Sequence, residues 1–142
     1  MKGLFISFEG IDGCGKSTQI DFLTKHFSKM KKPVVKTEEP GGTAGSNEIR
    51  KILLRENNFH WSVETEVLLF MAARNDHVEK VIKPSIDENK IVICDRFMDS
   101  TLVYQGMRSP KAKQLSLKLF ELIAINPDIT FLIDMEPEIA LK

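Results

Sequence analysis

The chain reads as an α/β protein: a three-layer arrangement in which a parallel sheet carries helices on both faces. Three observations predict it. Short apolar runs alternate with longer helical stretches in the order βαβα. The apolar runs are mostly not alternating in polarity, as strands buried on both faces require. The first run passes into its helix through Gly10-Ile11-Asp12-Gly13-Cys14-Gly15-Lys16-Ser17, which matches the phosphate-binding pattern G-x-x-x-x-G-K-[ST] at every position.

The strand candidates are Leu4–Phe8, Pro33–Thr37, Ile91–Cys94 and Ile129–Asp134. Helical stretches lie between them, over about Ser17–Met30, Ser46–Arg55, Val63–Ile86 and Ser109–Ile125. Pro110 and Pro127 punctuate element ends. No repeat, low-complexity tract or second domain is visible, and residues 1–142 are expected to form one domain. The segment from Met135 to Lys142 looks like the first turn or two of a helix. Pro137 followed by Glu138 is a helix-start signal, and a helix begun but not finished suggests a truncated protein or a fragment.

Composition narrows the class. Lys plus Arg equals Asp plus Glu at 20 each, so the net charge is zero and the basic excess of a nucleic-acid binder is missing. The lysines at 25, 29, 31 and 32 sit at a helix end, where a solvated cationic face suits the dipole. Two cysteines, Cys14 in the loop and Cys94 in an apolar strand, do not make a disulfide framework and suit a reducing compartment. No apolar run reaches membrane-spanning length and no signal peptide is seen, so the expected location is the cytoplasm, with no membrane partner.

The loop's chemistry follows from its residues. Gly10, Gly13 and Gly15 allow positive φ and close backbone approach, so that successive N–H groups form an anion nest. The helix starting near Lys16 aims its N-terminal dipole at the same place. Lys16 adds a full charge for the β- and γ-phosphates, and the Ser17 hydroxyl is a ligand for Mg²⁺. The nucleoside-triphosphate-binding set is therefore Gly10, Ile11, Asp12, Gly13, Cys14, Gly15, Lys16, Ser17 and Thr18. The pattern arises by chance in about one chain of this length in a few hundred. A plain Gly-rich turn at a strand–helix junction has no use for the Lys-Ser pair.

Other residues are weighed against blander readings. Asp95 ends the strand Ile91-Val92-Ile93-Cys94, where a carboxylate can hold Mg²⁺ or its waters. Asp134 ends Phe131-Leu132-Ile133 in the same way, and a strand ending in Asp is a common exit. Asp95 is preferred because Arg96 follows it, setting a phosphate-binding fork beside the metal ligand. On Val63–Ile86 the core stripe is Val67, Met71, Val78 and Ile82, with Phe70 and Arg74 at its edge. A ring and a guanidinium at i, i+4 could stack on and hydrogen-bond a planar base. By spacing alone, a border Phe with a surface Arg is the commoner arrangement. Glu39-Pro40-Gly41-Gly42-Thr43 is either a tight turn or a loop shaping a second-substrate pocket, and spacing does not decide. His26, His60 and His77 lack metal-ligand spacing, and Trp61 reads as packing.

Together these segments resemble the bacterial branch of the thymidylate kinase (dTMP kinase) family. The likeness runs in order through Phe8–Thr18, Glu39–Thr43, Glu48–Arg50, Leu69–Arg74, Asp95–Phe97, Ser100–Gly106, Asn126–Thr130 and Pro137–Leu141. It implies a P-loop nucleoside monophosphate kinase fold, here incomplete at its C-terminal side before the family's Arg-rich lid. It also implies transfer of the ATP γ-phosphoryl to dTMP with Mg²⁺. The resemblance makes Glu39, Arg50, Phe70, Arg74, Arg96, Thr101, Tyr104 and Gln105 the dTMP-binding set. Phe70 stacks on thymine, Arg74 meets its carbonyl edge, Thr101 and Gln105 complete base recognition, and Tyr104 packs near the sugar 2′ position. Arg50 and Arg96 hold the dTMP phosphate, Asp12 lies near the acceptor, and Lys16, Asp12 and Arg96 are the catalytic candidates. Ser17 and Asp95 hold the metal. The family commonly dimerises through the helix near Val63–Ile86. It usually carries Arg before E-P-G-G-T, where this chain has Glu38. The other readings are a non-catalytic nucleotide-binding fragment or degenerate copy lacking the lid, and a deoxynucleoside kinase, whose neutral acceptor hydroxyl would call for a general base.

Overall fold

The structure is a computed structural model that describes residues 2–56 and 60–141. Its chain divides into two compact units. The first contains the residues up to Glu38, Ile82–Phe97 and the residues from Asn126 on; the second contains Glu39–Val81 and Met98–Ile125.

The first unit is built on a four-stranded parallel sheet of β1 (Leu4–Glu9), β2 (Val34–Glu38), β3 (Ile91–Asp95) and β4 (Ile129–Leu132), in the order β2-β3-β1-β4. β1 lies between β3 and β4, with Phe8 opposite Asp95 on one side and Phe131 on the other. Pleating sends alternate residues of β1 to opposite faces. Ile6 and Phe8 join Ile91 and Ile93 in a core closed by Ile20, Leu23 and Phe27 of α1 (Lys16–Lys29). Phe5, on the other face, meets the edge of Phe97 with ring centroids 5.0 Å apart. That two-sided burial explains the unbroken apolar runs. The expected parallel α/β fold is borne out. β1, β2 and β3 each extend one residue past their expected ends, and β4 stops at Leu132, short of Asp134.

The second unit contains α2 (Ala44–Leu54), α3 (Val63–His77), α5 (Met98–Tyr104), a 3-10 turn (Gly106–Arg108) and α6 (Pro110–Ile123). Thr43 caps α2 by accepting from the Ser46 N–H, and the Ser46 hydroxyl donates to the Ala73 carbonyl of α3 at 2.6 Å. Ser62 caps α3, and Ser109 caps α6, in the same manner. Arg108 pairs with Glu66 at 2.6 Å and the Ser109 hydroxyl donates to Glu64, tying the start of α6 to α3.

The expected helices need correction at three places. The helix expected over Val63–Ile86 is not one regular helix: α3 ends at His77, a π-helical turn covers Val78–Ile82, and α4 (Lys83–Asp87) follows. Pro84, in the first turn of α4, has no N–H for the ladder and its ring crowds the carbonyl four residues back, which the wider turn accommodates. The stripe Val67, Met71, Val78 and Ile82 is nevertheless buried throughout. The helix α5 was not among the expected elements. Its seven residues span about two turns, too short for a helical period to stand out, and include β-branched Thr101 and Val103. The expected helix over Ser109–Ile125 ends at Ile123, with Ala124 in a left-handed cap at φ 52°.

Gly3 is buried, and a Cβ there would lie 2.3 Å from the Ile86 carbonyl oxygen, a backbone atom that cannot swing aside. Gly3→Ala should therefore destabilise the protein by about 1–3 kcal/mol in urea unfolding; a change below about 0.5 kcal/mol would contradict this packing. Asp76 tests the second unit. Its carboxyl is held below its ordinary value, first by the hydrogen bond from Lys80 and next by that from Thr43. A depressed folded-state value contributes stability above the unfolded value near 3.9, and that contribution is lost as pH falls through the folded value. The stability gap between wild type and Asp76→Asn should shrink from about pH 6 to about pH 3 in denaturant melts. A gap independent of pH would remove this role.

Candidate active site

In the first unit, β1 ends at Glu9 and the chain turns through Gly10–Gly15 into α1. Gly13 takes φ 81°, and a Cβ on it would fall 2.0 Å from the Ala140 carbonyl oxygen. Gly15 is the left-handed N-cap of α1 at φ 92°, with nothing within 4 Å of where a Cβ would stand. The cap thus leaves open space at a helix N-terminus, where the backbone N–H groups lack intrahelical acceptors.

Lys16 is buried, and its Nζ donates to the carbonyls of Gly10 at 2.9 Å and Ile11 at 3.0 Å. The ammonium is therefore held inside the curve of the loop. Cys14 is buried and carries a free thiol; Ile11 is half-buried, and Asp12, Ser17 and Thr18 are exposed.

The end of β3 lies beside this loop because β1 and β3 are hydrogen-bonded neighbours. The Ser17 hydroxyl is 3.5 Å from Asp95 Oδ2, the outer limit of a hydrogen bond. Asp95 Oδ1 is buried and has no partner among the described residues. A buried carboxylate oxygen left without a donor is costly, and a hard cation or its bound water would satisfy it. Ser17 and Asp95 therefore fit Mg²⁺ on the donor set itself. Asp134, the alternative, lies beyond the end of β4 and is exposed.

Arg96 follows Asp95 with φ 67°, a left-handed backbone that is uncommon for a long side chain and is concentrated at functional sites. Three contacts hold the bend. The Arg96 N–H donates to Phe8 O at 2.8 Å, the Phe97 N–H donates to Glu9 Oε1 at 2.8 Å, and the Cys94 thiol is 3.1 Å from Arg96 O. The bend delivers Arg96 Nη2 to 2.7 Å from Asp12 Oδ1. Asp12 is 92% exposed, so this pair contributes little to stability and can exchange for another anion. Glu9 had no assigned role in the sequence reading; a carboxylate directly before the phosphate loop was the available signal.

The second unit gathers another set. The Glu39–Pro40 peptide is cis, and the Pro40 carbonyl accepts from Arg50 Nη1 at 2.6 Å. Thr43 donates to Asp76, joining the far side of this loop to α3. Glu39 is buried: one carboxylate oxygen accepts from Arg74 Nε at 2.5 Å and the other lies 2.9 Å from His77 Nδ1. Arg74 is 3% exposed, so the surface arginine favoured by spacing is corrected to a buried one. Its guanidinium carbon stands 5.6 Å from the centre of the Phe120 ring, and Nη1 lies 3.6 Å from Met71 Sδ. Spacing placed Arg74 at the edge of the stripe, but it carried no information on α6 or the Glu39 loop, which cover that edge. Phe70 is half-buried one turn earlier on α3. Thr101 and Gln105 are buried, with the Gln105 N–H donating to Thr101 O at 3.0 Å, and Tyr104 is exposed. His77, set aside in the sequence reading, is fully buried against Glu39. Its spacing of three from Arg74, on the buried side of α3, was the signal.

The comparisons agree with one another. The family model described as thymidylate kinase matches residues 8–142. A thymidylate kinase of Ruegeria pomeroyi is 49% identical over 141 residues, covering 99% of this chain and 67% of that protein. One of Symbiobacterium thermophilum is 47% identical over 140 residues, covering 97% of this chain and 65% of that protein. Among solved structures, the crystal structure of thymidylate kinase from Ehrlichia chaffeensis superimposes with a TM-score of 0.86 at 40% identity, covering 99% of this chain and 81% of that chain. The chain thus spans about two thirds of the length of the curated relatives it matches. With its phosphate loop, its metal-fitting carboxylate and a match over nearly its whole length, the chain belongs to the thymidylate kinase family of phosphoryl-transferring enzymes.

Proposed function

We propose that this chain carries the chemistry of a nucleoside monophosphate kinase that transfers the γ-phosphoryl of ATP to dTMP, giving dTDP and ADP. The observation that carries the reading is the pairing of Ser17 with Asp95, whose second oxygen lacks a partner among the described residues, beside a glycine loop that encloses the Lys16 ammonium. This is a built site for a polyphosphate and its cation. Membership of a family of thymidylate kinases supports dTMP as acceptor.

The residues act by placing and neutralising charge. The loop N–H groups and the α1 N-terminus bind the β- and γ-phosphates of ATP, and Lys16 turns from the Gly10 and Ile11 carbonyls to phosphate oxygens. Ser17 and Asp95 hold Mg²⁺, which when bound offsets negative charge on the β- and γ-phosphates. An oxygen of the dTMP phosphate forms the new bond to the γ-phosphorus as the bond to the β,γ-bridging oxygen breaks, and ADP leaves with that electron pair. The acceptor is already an anion, so positioning and electrostatics suffice without a strong base. Arg96 exchanges Asp12 for the acceptor phosphate, and Arg50 binds the same group. Phe70 stacks on the thymine, Arg74 meets its carbonyl edge, Thr101 and Gln105 complete base recognition, Tyr104 lies near the sugar, and the Glu39 loop shapes the pocket. The unit of function is one kinase domain, working as a homodimer in the cytoplasm with no nucleic-acid partner. Two free thiols and zero net charge support that setting. Among the described residues, no helix is long and apolar enough to cross a membrane.

A coupled ADP-release assay on the purified chain tests the reading. Turnover should require dTMP and Mg²⁺, and Lys16→Met should lower kcat by about 100-fold or more. Arg50→Ala should raise the KM for dTMP about tenfold with the KM for ATP unchanged. Phosphorylation of thymidine but not dTMP would replace the reading with a deoxynucleoside kinase, and absence of ADP release with either acceptor would reject turnover by this chain.

A further inference from the structure

The dTMP reading makes Arg74 the residue that meets the base, and this inference rests on that reading. An arginine side chain has several rotatable bonds, and a base contact needs one of its many orientations. The structure fixes that orientation through Glu39, a member of the dTMP-binding set, and through His77, which has no part in the proposed reaction.

Glu39 stands between Arg74 and His77, and all three side chains are at most 3% exposed. Glu39 Oε2 accepts from Arg74 Nε at 2.5 Å, and Glu39 Oε1 lies 2.9 Å from His77 Nδ1. A carboxylate oxygen accepts, so the proton of this second contact sits on Nδ1. Arg74 and His77 are one helical turn apart on α3, whereas Glu39 comes from the loop before α2. The carboxylate is thus gripped from two points of one rigid helix. Arg74 gives Nε to Glu39, and its Nη1 lies 3.6 Å from Met71 Sδ. Phe120 limits the remaining freedom, with its ring centre 5.6 Å from the guanidinium carbon.

We propose that His77 is a positioning residue for base recognition: its Nδ1–H holds the Glu39 carboxylate in the rotamer that receives Arg74 Nε, and so presents the Arg74 fork to the pyrimidine. Without that donor, Glu39 keeps one buried oxygen short of a partner and can rotate. Arg74 then loses its single direction, and the cost falls on dTMP and not on ATP.

The test compares His77→Asn, His77→Gln and His77→Phe in the full chain. Asn carries an amide N–H close to the place of Nδ1; Gln carries one farther out, near the place of Nε2; Phe carries none. Calorimetric titration with dTMP should show His77→Asn within about threefold of wild type, and His77→Gln and His77→Phe weaker by about tenfold or more, the loss on removing one donor to a buried charged acceptor. Affinity for ATP with Mg²⁺ should stay within about twofold in all three. In parallel, ¹⁵N spectra of the unliganded chain should show the Arg74 Nε–H protected from solvent exchange in wild type and His77→Asn, and unprotected in His77→Gln. Because the Gln and Asn variants bury similar polar groups, their difference survives even if His77→Phe does not fold. Equal dTMP affinity in Asn and Gln variants, or an Arg74 Nε–H indifferent to the substitution, overturns the proposal. If wild type itself does not bind dTMP while the Nε–H follows the expected pattern, the choice of substrate fails and the positioning of Arg74 by His77 stands.

Discussion

The parallel pairing of β1 with β3 is the constraint on which the first unit depends. Its register sets Phe8 opposite Asp95, so the end of β1, one residue before the phosphate loop is entered from Glu9, and the metal-fitting carboxylate reach the same level of the sheet. A slip of one residue would turn every side chain of one strand to the other face. Asp95 would leave Ser17, and Ile91 and Ile93 would leave the core shared with Ile6, Phe8 and Ile20. Burial and chemistry therefore select the same register. Glu9 reinforces it from outside the ladder, because its carboxylate takes the Phe97 N–H that the bend at Arg96 would otherwise strand. A buried carboxylate with such a donor is a specific fastener, where an apolar residue would tolerate several positions.

The second unit solves a different problem. Burying Arg74 and Glu39 removes two charges from water, and their attraction does not guarantee a net gain. Short contacts on both carboxylate oxygens and an aromatic ring over the cation meet that cost geometrically, and what they secure is direction. The caps at Thr43, Ser62 and Ser109 do ordinary work beside this cluster, ending helices where the loops need them.

Much of this was legible in the sequence. Unbroken apolar runs marked the buried strands, and the Gly and Lys-Ser spacing marked the phosphate loop with its ligand chemistry. Asp95 was separable from Asp134 only by the Arg that follows it, and the buried Oδ1, without a partner among the described residues, now gives that preference a physical basis. Spacing failed where a residue's surroundings come from elsewhere in the chain. Arg74 looked exposed because periodicity describes one helix, whereas its burial depends on Phe120 in α6 and Glu39 in a loop. His77 lacked metal-ligand spacing and so drew no role: its place three residues after Arg74 marked a shared helix face, but its hydrogen bond to Glu39, 38 positions away, leaves no periodic trace. Pro84 did carry the signal for the break after His77, but a break followed by a resumed helix reads as one long helix when only polarity is followed.

The Lys16 ammonium bonded to the Gly10 and Ile11 carbonyls has a consequence for timing. The cation closes the loop on itself, so the curved backbone exists before any phosphate arrives. Its conformational entropy is lost during folding and not at encounter. A nucleotide then meets a concave, preshaped surface and has only to exchange two neutral acceptors for charged ones. Association can proceed without a slow rearrangement of this segment, and nucleotides that differ in phosphate number should be sorted by how long they stay, not by how fast they arrive.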